Sequence, residues 1–269
     1  MSKPVFLLVP GAWHSPDSFS PTTKLLEKAG YEVKGVNLPS VGASPHHTSN
    51  EQDVQAIRNA LNPILSSGKD VVVVMHSYGG TIGSEALGEY VADLEKGEKP
   101  GRGKVVRMVF CTAFCLPMGT SLMKALHMKP LPWFIINVGQ VFYRVPQVTS
   151  NQETQEDESE IRAGTPKEIF YNDISYAEAA PLIAHLKGQG YKTLFSDLTV
   201  EPWRIVPSTY ILCEADNAIP IQVQEGMIAH AQSIAPNAFD VIERCSAGHS
   251  PFLSQPEWLA EKLIKSAGA

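Results

Sequence analysis

Three residues, Ser77, Asp216 and His249, stand in an order and in surroundings that suit nucleophilic acyl chemistry. Ser77 lies in the run V-V-V-V-M-H-S-Y-G-G, residues 71–80, where a buried strand turns sharply into a helix. A serine at such a turn holds its hydroxyl out of the carboxyl edge of a sheet. The helix behind it aims backbone N–H groups and a positive dipole end at the same point. A serine hydroxyl is a weak nucleophile. It needs a base to take its proton, an acid to steady that base, and donors for the oxyanion that forms.

The later part of the chain supplies the first two. His249 sits in C-S-A-G-H-S-P-F, in the loop after the last expected strand, and it is the only one of the eight histidines so placed. It is the expected base. The acid is expected in E-A-D-N-A-I-P, residues 214–220, where Glu214 and Asp216 both qualify. The D-x-x-x-P spacing favours Asp216, because it places the carboxylate in the loop before the next helix. The oxyanion donors are expected to be the amides of Tyr78 and Ala12, the latter in the loop P-G-A-W-H-S after the first strand. Gly11 permits close backbone approach there. Gly11, Trp13 and His76 are expected beside the substrate, whereas His14 reads as a polar contact that steadies the loop. One departure from the usual G-x-S-x-G pattern stands out. Met75 occupies the first glycine position, and Gly79 and Gly80 are expected to relieve the crowding.

These residues need a frame of alternating strands and helices. Strands are expected at residues 5–9, 31–37, 71–74, 105–112, 210–213 and 239–243. Helices are expected at residues 18–29, 51–65, from about 81 to 94, 221–234 and 255–266. Such alternation predicts a mostly parallel, doubly wound sheet, whose carboxyl-end loops carry the chemistry. The alternation stops between residues 113 and 204. That stretch reads as a helical lid with candidate helices at residues 122–128, 133–145 and 176–186 and an acidic, solvated loop at 153–160. The domain division that follows is a core of residues 1–113 and 205–269 with a lid of residues 114–204. The lid's apolar residues, among them Met118, Met123, Leu126, Trp133, Phe134, Phe142 and Tyr143, exceed what its own core needs, so some are expected to line a pocket.

Composition narrows the partners. A hydrophobic content of 43% and a net charge of −6 describe a soluble globular chain without a basic footprint for nucleic acid. No apolar run approaches the roughly 20 residues a membrane helix needs. The first strand begins too early to leave room for a signal peptide, so a cytoplasmic location is expected. The four cysteines, Cys111, Cys115, Cys213 and Cys245, have no metal-site or redox-pair spacing and read as buried thiols. No metal or other cofactor is implied. The expected partner is a small-molecule substrate, and a homodimer is compatible with the sequence.

Taken together, these motifs resemble the α/β-hydrolase superfamily, and within it the small esterases related to plant methylesterases, hydroxynitrile lyases and fungal α/β hydrolases. L-V-P-G-A-W-H resembles that branch's V-H-G-A-W-H, with Pro10 in place of histidine. H-S-Y-G-G, S-T-Y-I-L-C-E-A-D-N-A-I-P and S-A-G-H-S-P-F resemble its elbow, acid and base loops. The resemblance implies a serine hydrolase cleaving a small to medium apolar ester or lactone through an acyl-enzyme. It also implies that lyase chemistry is disfavoured. The lyases carry a threonine in the oxyanion loop and a lysine after the histidine, where this chain has Gly11 and Ser250. Two alternatives stay open on the sequence: a non-hydrolytic lyase or cyclase on a biosynthetic intermediate, and a ligand-binding receptor.

Overall fold

Four consecutive valines can all be buried only where both faces of a strand are covered. In the computed structural model, which describes residues 3–98, 102–138, 141–144 and 160–268, they are. Val71, Val73 and Met75 join Ile57, Leu61 and Ile82 on one face, while Val72 and Val74 join Phe19, Leu26 and Leu259 on the other. The first strand divides in the same way, with Leu7 on one side and Phe6 and Leu8 on the other. Each such side chain contributes about 1.5–3 kcal/mol relative to exposure, so this two-sided core dominates the fold's stability.

The strands in chain order are β1 (Val5–Val9), β2 (Val33–Gly35), β3 (Val71–Ser77), β4 (Val105–Ala113), β5 (Phe134–Val138), β6 (Val141–Arg144), β7 (Glu160–Ala163), β8 (Gln189–Gly190), β9 (Ser208–Cys213) and β10 (Val241–Cys245). Six of them form a parallel sheet in the order β10-β9-β4-β3-β1-β2. Helices Ser20–Lys28 and Pro256–Ser266 cover one face. Helices Glu51–Ser66, Gly79–Ala86 and Ile221–Ile234 cover the other. The helix expected over residues 81–94 breaks after Leu87 into Gly79–Ala86 and Gly88–Glu95.

The insertion between β4 and β9 is not the purely helical lid that the sequence suggests. It carries helices Leu122–Ala125, Pro166–Phe170 and Tyr176–His185 together with a four-stranded antiparallel sheet, β6-β5-β7-β8. Residues 133–145, expected as a helix, hold the paired strands β5 and β6. The physical reason lies in F-I-I-N-V and V-F-Y-R, whose β-branched and aromatic side chains favour a pleated surface. Short apolar runs of this kind do not separate helix from strand by period. The acidic stretch at 153–160 lies outside the described residues apart from Glu160. That residue is buried in β7, with Arg162 Nε donating to it at 2.7 Å. The described residues between β4 and β9, here called the cap, thus combine helices and strands.

The cap is laced to a loop of the core, after β2, through β8 and the residue before it. Val41 bridges Gln189, and Gly42 N–H donates to the Gly188 carbonyl at 2.7 Å. On the core side the buried Asp53 accepts from both the amide (2.8 Å) and the hydroxyl (2.6 Å) of Ser40. That pair fixes the loop to which the cap is joined.

Candidate active site

Ser77 ends β3 with φ 53, in the left-handed region that β-carbon sterics disfavour. Two neighbouring segments carry the same strain, β4 at its penultimate residue Thr112 (φ 38) and the loop after β1 at Trp13 (φ 66). Strained non-glycine residues gathered at one sheet edge mark a place where the surroundings dictate backbone geometry. The elbow is possible because its neighbours lack side chains. A β-carbon on Gly79 would lie 2.7 Å from the Val9 carbonyl oxygen, and one on Gly80 would lie 2.3 Å from that of Phe114. Met75 is accommodated elsewhere than expected, by Gly83 one turn further along the helix.

His249 Nδ1 lies 2.8 Å from Asp216 Oδ2, with both side chains buried. The carboxylate has further donors. Thr112 Oγ1 donates to the same oxygen, and the amides of Ala218 (2.7 Å) and Ile219 (2.9 Å) donate to Oδ1. A carboxylate so held can accept Nδ1–H from the imidazole, an arrangement that would leave Nε2 free to accept a proton. Glu214, the competing acid, is exposed and faces Arg244 instead.

His76 does not line the cavity at Ser77, contrary to the expected substrate contact. Its Nε2 donates to the backbone carbonyl of His249 at 2.8 Å, and its ring stands 4.5 Å from the His249 ring and 4.9 Å from that of Phe252. It braces the loop that carries His249. Burial above all, then the neighbouring His249 and His14, lowers the His76 pKa well below the ordinary range, so the ring is neutral. His14 is neutral for the same leading reason, with a pKa of about 4. Gly11 is likewise absent from the cavity lining. It backs the elbow, where a β-carbon would lie 2.8 Å from Ser77 Cβ.

Ala12, Trp13, Ser77 and Tyr78 do line the cavity, under a cap-side wall that includes Trp133, Phe134, Phe170 and Leu194. Its remaining walls are also apolar, and its volume is about 20 Å³, room for roughly one water. Of the apolar lid residues singled out from the sequence, Leu126, Trp133 and Phe134 reach it; Met123 is buried in the core and Met118 is exposed. A larger hollow, about 700 Å³, shares none of this lining and is walled by ion-paired side chains such as Arg58 and Arg204.

Several contributors carried no signal in short motifs. Thr112 is one, although a polar residue closing a buried strand is a hint. Asn172 Nδ2 donates to the Ala215 carbonyl at 2.8 Å, and Asp173 Oδ2 accepts from the Gly248 amide at 2.6 Å. Each bond falls one residue before a triad candidate. Among the described residues no three histidine, cysteine, aspartate or glutamate side chains gather to hold a metal ion. Cys213 and Cys245 stand in register on β9 and β10 with their sulfurs 3.8 Å apart, a neighbourhood invisible in their spacing.

The alpha/beta hydrolase family model matches residues 6–262. The chain belongs to that family. It is 34% identical over 269 residues to alpha/beta hydrolase nvfD of Aspergillus novofumigatus, covering 100% of this chain and 98% of that protein. It is 24% identical to putative methylesterase 11, chloroplastic, of Arabidopsis thaliana, over 97% of this chain and 63% of that longer one. Among solved structures, polyneuridine aldehyde esterase superposes with a TM-score of 0.72 at 19% identity, over 98% of this chain and 99% of that one. Hydrolases with esterase-type members are thus this family member's relatives. Among its described residues no helix is long and apolar enough to cross a membrane.

Proposed function

We propose that this protein is a serine hydrolase that cleaves a small to medium, uncharged, apolar carboxylic ester or lactone. The observation that carries the reading is the buried His249–Asp216 contact at 2.8 Å, in loops at the carboxyl edge of the same parallel sheet whose strand β3 ends in a serine held at φ 53. The apolar cavity at that serine supports the substrate class, since it offers no charged side chain to a carboxylate or ammonium.

In the proposed reaction His249 Nε2 takes the Ser77 proton as Oγ attacks the ester carbonyl. Asp216 steadies the imidazolium by accepting Nδ1–H. The Ala12 and Tyr78 amides receive the oxyanion; the position of Tyr78 at the start of helix Gly79–Ala86 supports its part in this. The tetrahedral intermediate collapses, and the leaving alkoxide takes the proton from His249. Water, deprotonated by the same imidazole, then attacks the acyl-enzyme; a second collapse returns Ser77 and releases the acid. The steps use only these groups and water.

Intact-mass spectrometry after treatment with a fluorophosphonate tests the reading. One adduct on wild type and none on Ser77→Ala is the expected result, followed by turnover of neutral aryl esters with water incorporated into the acid. An unlabelled wild type that also leaves such esters intact would overturn it.

A further inference from the structure

The loop after β1 carries one of the two amides assigned above to the oxyanion, and its shape is set by groups outside β1. Two of them belong to His14. Its backbone N–H donates to the Gly11 carbonyl at 3.4 Å, and its Nδ1 lies 2.7 Å from the Ala12 carbonyl oxygen. A carbonyl only accepts, so Nδ1 carries the proton. In a trans peptide the C=O and N–H point opposite ways, so pinning the Gly11 carbonyl aims the Ala12 N–H. Pinning the Ala12 carbonyl fixes the next peptide plane.

A neutral imidazole that gives its proton at Nδ1 must accept at Nε2. Tyr171 fills that position, with its hydroxyl 2.9 Å away and its ring buried. Tyr171 belongs to the cap, directly after helix Pro166–Phe170. The cap also grips the adjoining residue. Trp13 N–H donates to Gln189 Oε1 (3.3 Å), Trp13 Nε1 donates to the Ile161 carbonyl (2.9 Å), and Lys187 N–H donates to the Trp13 carbonyl (3.2 Å). Every polar group of Trp13 therefore ends on the cap.

We infer that Tyr171 is a positioning residue for the oxyanion hole: by donating to His14 Nε2 it selects the imidazole tautomer that holds the Ala12 peptide, so the hole is complete only while the cap is seated. The inference rests on the serine-hydrolase reading. Its consequence follows from the cavity, which is tight, about 20 Å³, and roofed by cap residues, so that an ester too large for it would enter as the cap shifts. Admission of substrate loosens the oxyanion loop, and reseating of the cap over the substrate restores it. A substrate that the cap cannot close over binds but turns over slowly, which places selectivity in kcat.

The test is a double-mutant cycle on a neutral aryl ester with Tyr171→Phe, His14→Asn and the pair. Asparagine keeps an N–H near the Nδ1 position and has nothing at Nε2. Tyr171→Phe is expected to lower kcat about tenfold with KM within about twofold, since it loosens a donor without removing it. Added to His14→Asn it is expected to cost nothing more. Nitrogen-15 NMR of His14 is expected to show the Nδ1-protonated tautomer in wild type and a mixture in Tyr171→Phe, with melting temperatures confirming folded protein. Additive losses, or a Tyr171→Phe enzyme with wild-type kcat and tautomer, overturn the inference. Fluorophosphonate labelling separates the two failures. A labelled, active wild type with an additive cycle sinks only the role of Tyr171, whereas an unlabelled wild type sinks the serine reading and the oxyanion role with it.

Discussion

Met75 occupies the space left by the missing side chain of Gly83: a β-carbon on that glycine would lie 2.5 Å from the Met75 sulfur and 2.8 Å from its Cγ. The bulky residue that breaks the usual elbow pattern is thus compensated one helical turn beyond the elbow. Gly83→Ala is expected to destabilise the protein by about 1 kcal/mol, the gain in helix propensity being outweighed by overpacking. In a Met75→Ala background the same change should become neutral or stabilising. Urea denaturation of the four proteins checks this. Equal costs in both backgrounds would mean that the methionine and the glycine are not coupled.

The two buried neutral histidines make stability depend on pH in a stated direction. His14 is held at about 4 by burial, with His249 adding to the lowering and the Ala12 carbonyl opposing it; His76 is also lowered, chiefly by burial. The unfolded chain takes up these protons below about 6.5, whereas the folded chain does not. Stability is therefore full above that value and falls as pH drops toward 4, by about 1.4 kcal/mol per pH unit for each histidine in its window. Asp53, raised by burial, works the other way. Comparing His14→Asn with wild type isolates the histidine. Denaturation midpoints measured at about pH 7.5 and about pH 5 should differ less in the mutant; an unchanged slope would place the His14 proton elsewhere.

Thr112 donates to the same oxygen of Asp216 that meets His249. Removing one donor from a charged acceptor that keeps two amides lowers kcat/KM by roughly tenfold. Thr112→Val should show that loss and Thr112→Ser should largely restore activity. Asp216→Asn should cost far more, on the order of 10⁴-fold, because it disturbs the imidazole tautomer itself. Steady-state kinetics on one ester ranks the three. A Thr112→Val enzyme equal to wild type would show the hydroxyl to be dispensable.

Gly11 stands against the elbow, with a hypothetical β-carbon 2.8 Å from Ser77 Cβ and 3.1 Å from His76 Nδ1. Gly11→Ala is expected to slow fluorophosphonate labelling about 100-fold, because a shift of under an ångström at a nucleophile is costly. Circular dichroism should stay native. Wild-type labelling by this variant would mean the loop yields freely.

The parts of this protein that were legible in the sequence are those whose physics is local. The valine run, the serine turn and the loops holding Asp216 and His249 each carry their signal within about ten residues, and the parallel sheet follows from their alternation. Of the two carboxylates that E-A-D-N-A-I-P offers, Asp216 meets the His249 imidazole and Glu214 faces Arg244. What was not legible depends on contacts between distant segments. His76 braces the His249 carbonyl across 173 positions of sequence, and Tyr171 reaches His14 across 157. No spacing encodes such pairs. The cap is ambiguous for a different reason: its short apolar runs satisfy helix and strand patterns alike, and only the pairing of β5 with β6 and β7 decides between them.

The uncharged walls around Ser77 also bear on how a catalytic cycle would end. An ester enters that space neutral, but hydrolysis would leave a carboxylate inside it, with no cation among the lining residues to receive it. A naked anion in an apolar enclosure is far less stable than in water. The same surface that welcomes the substrate would therefore expel the acid, keeping product inhibition weak and making the reverse synthesis unfavourable within the site.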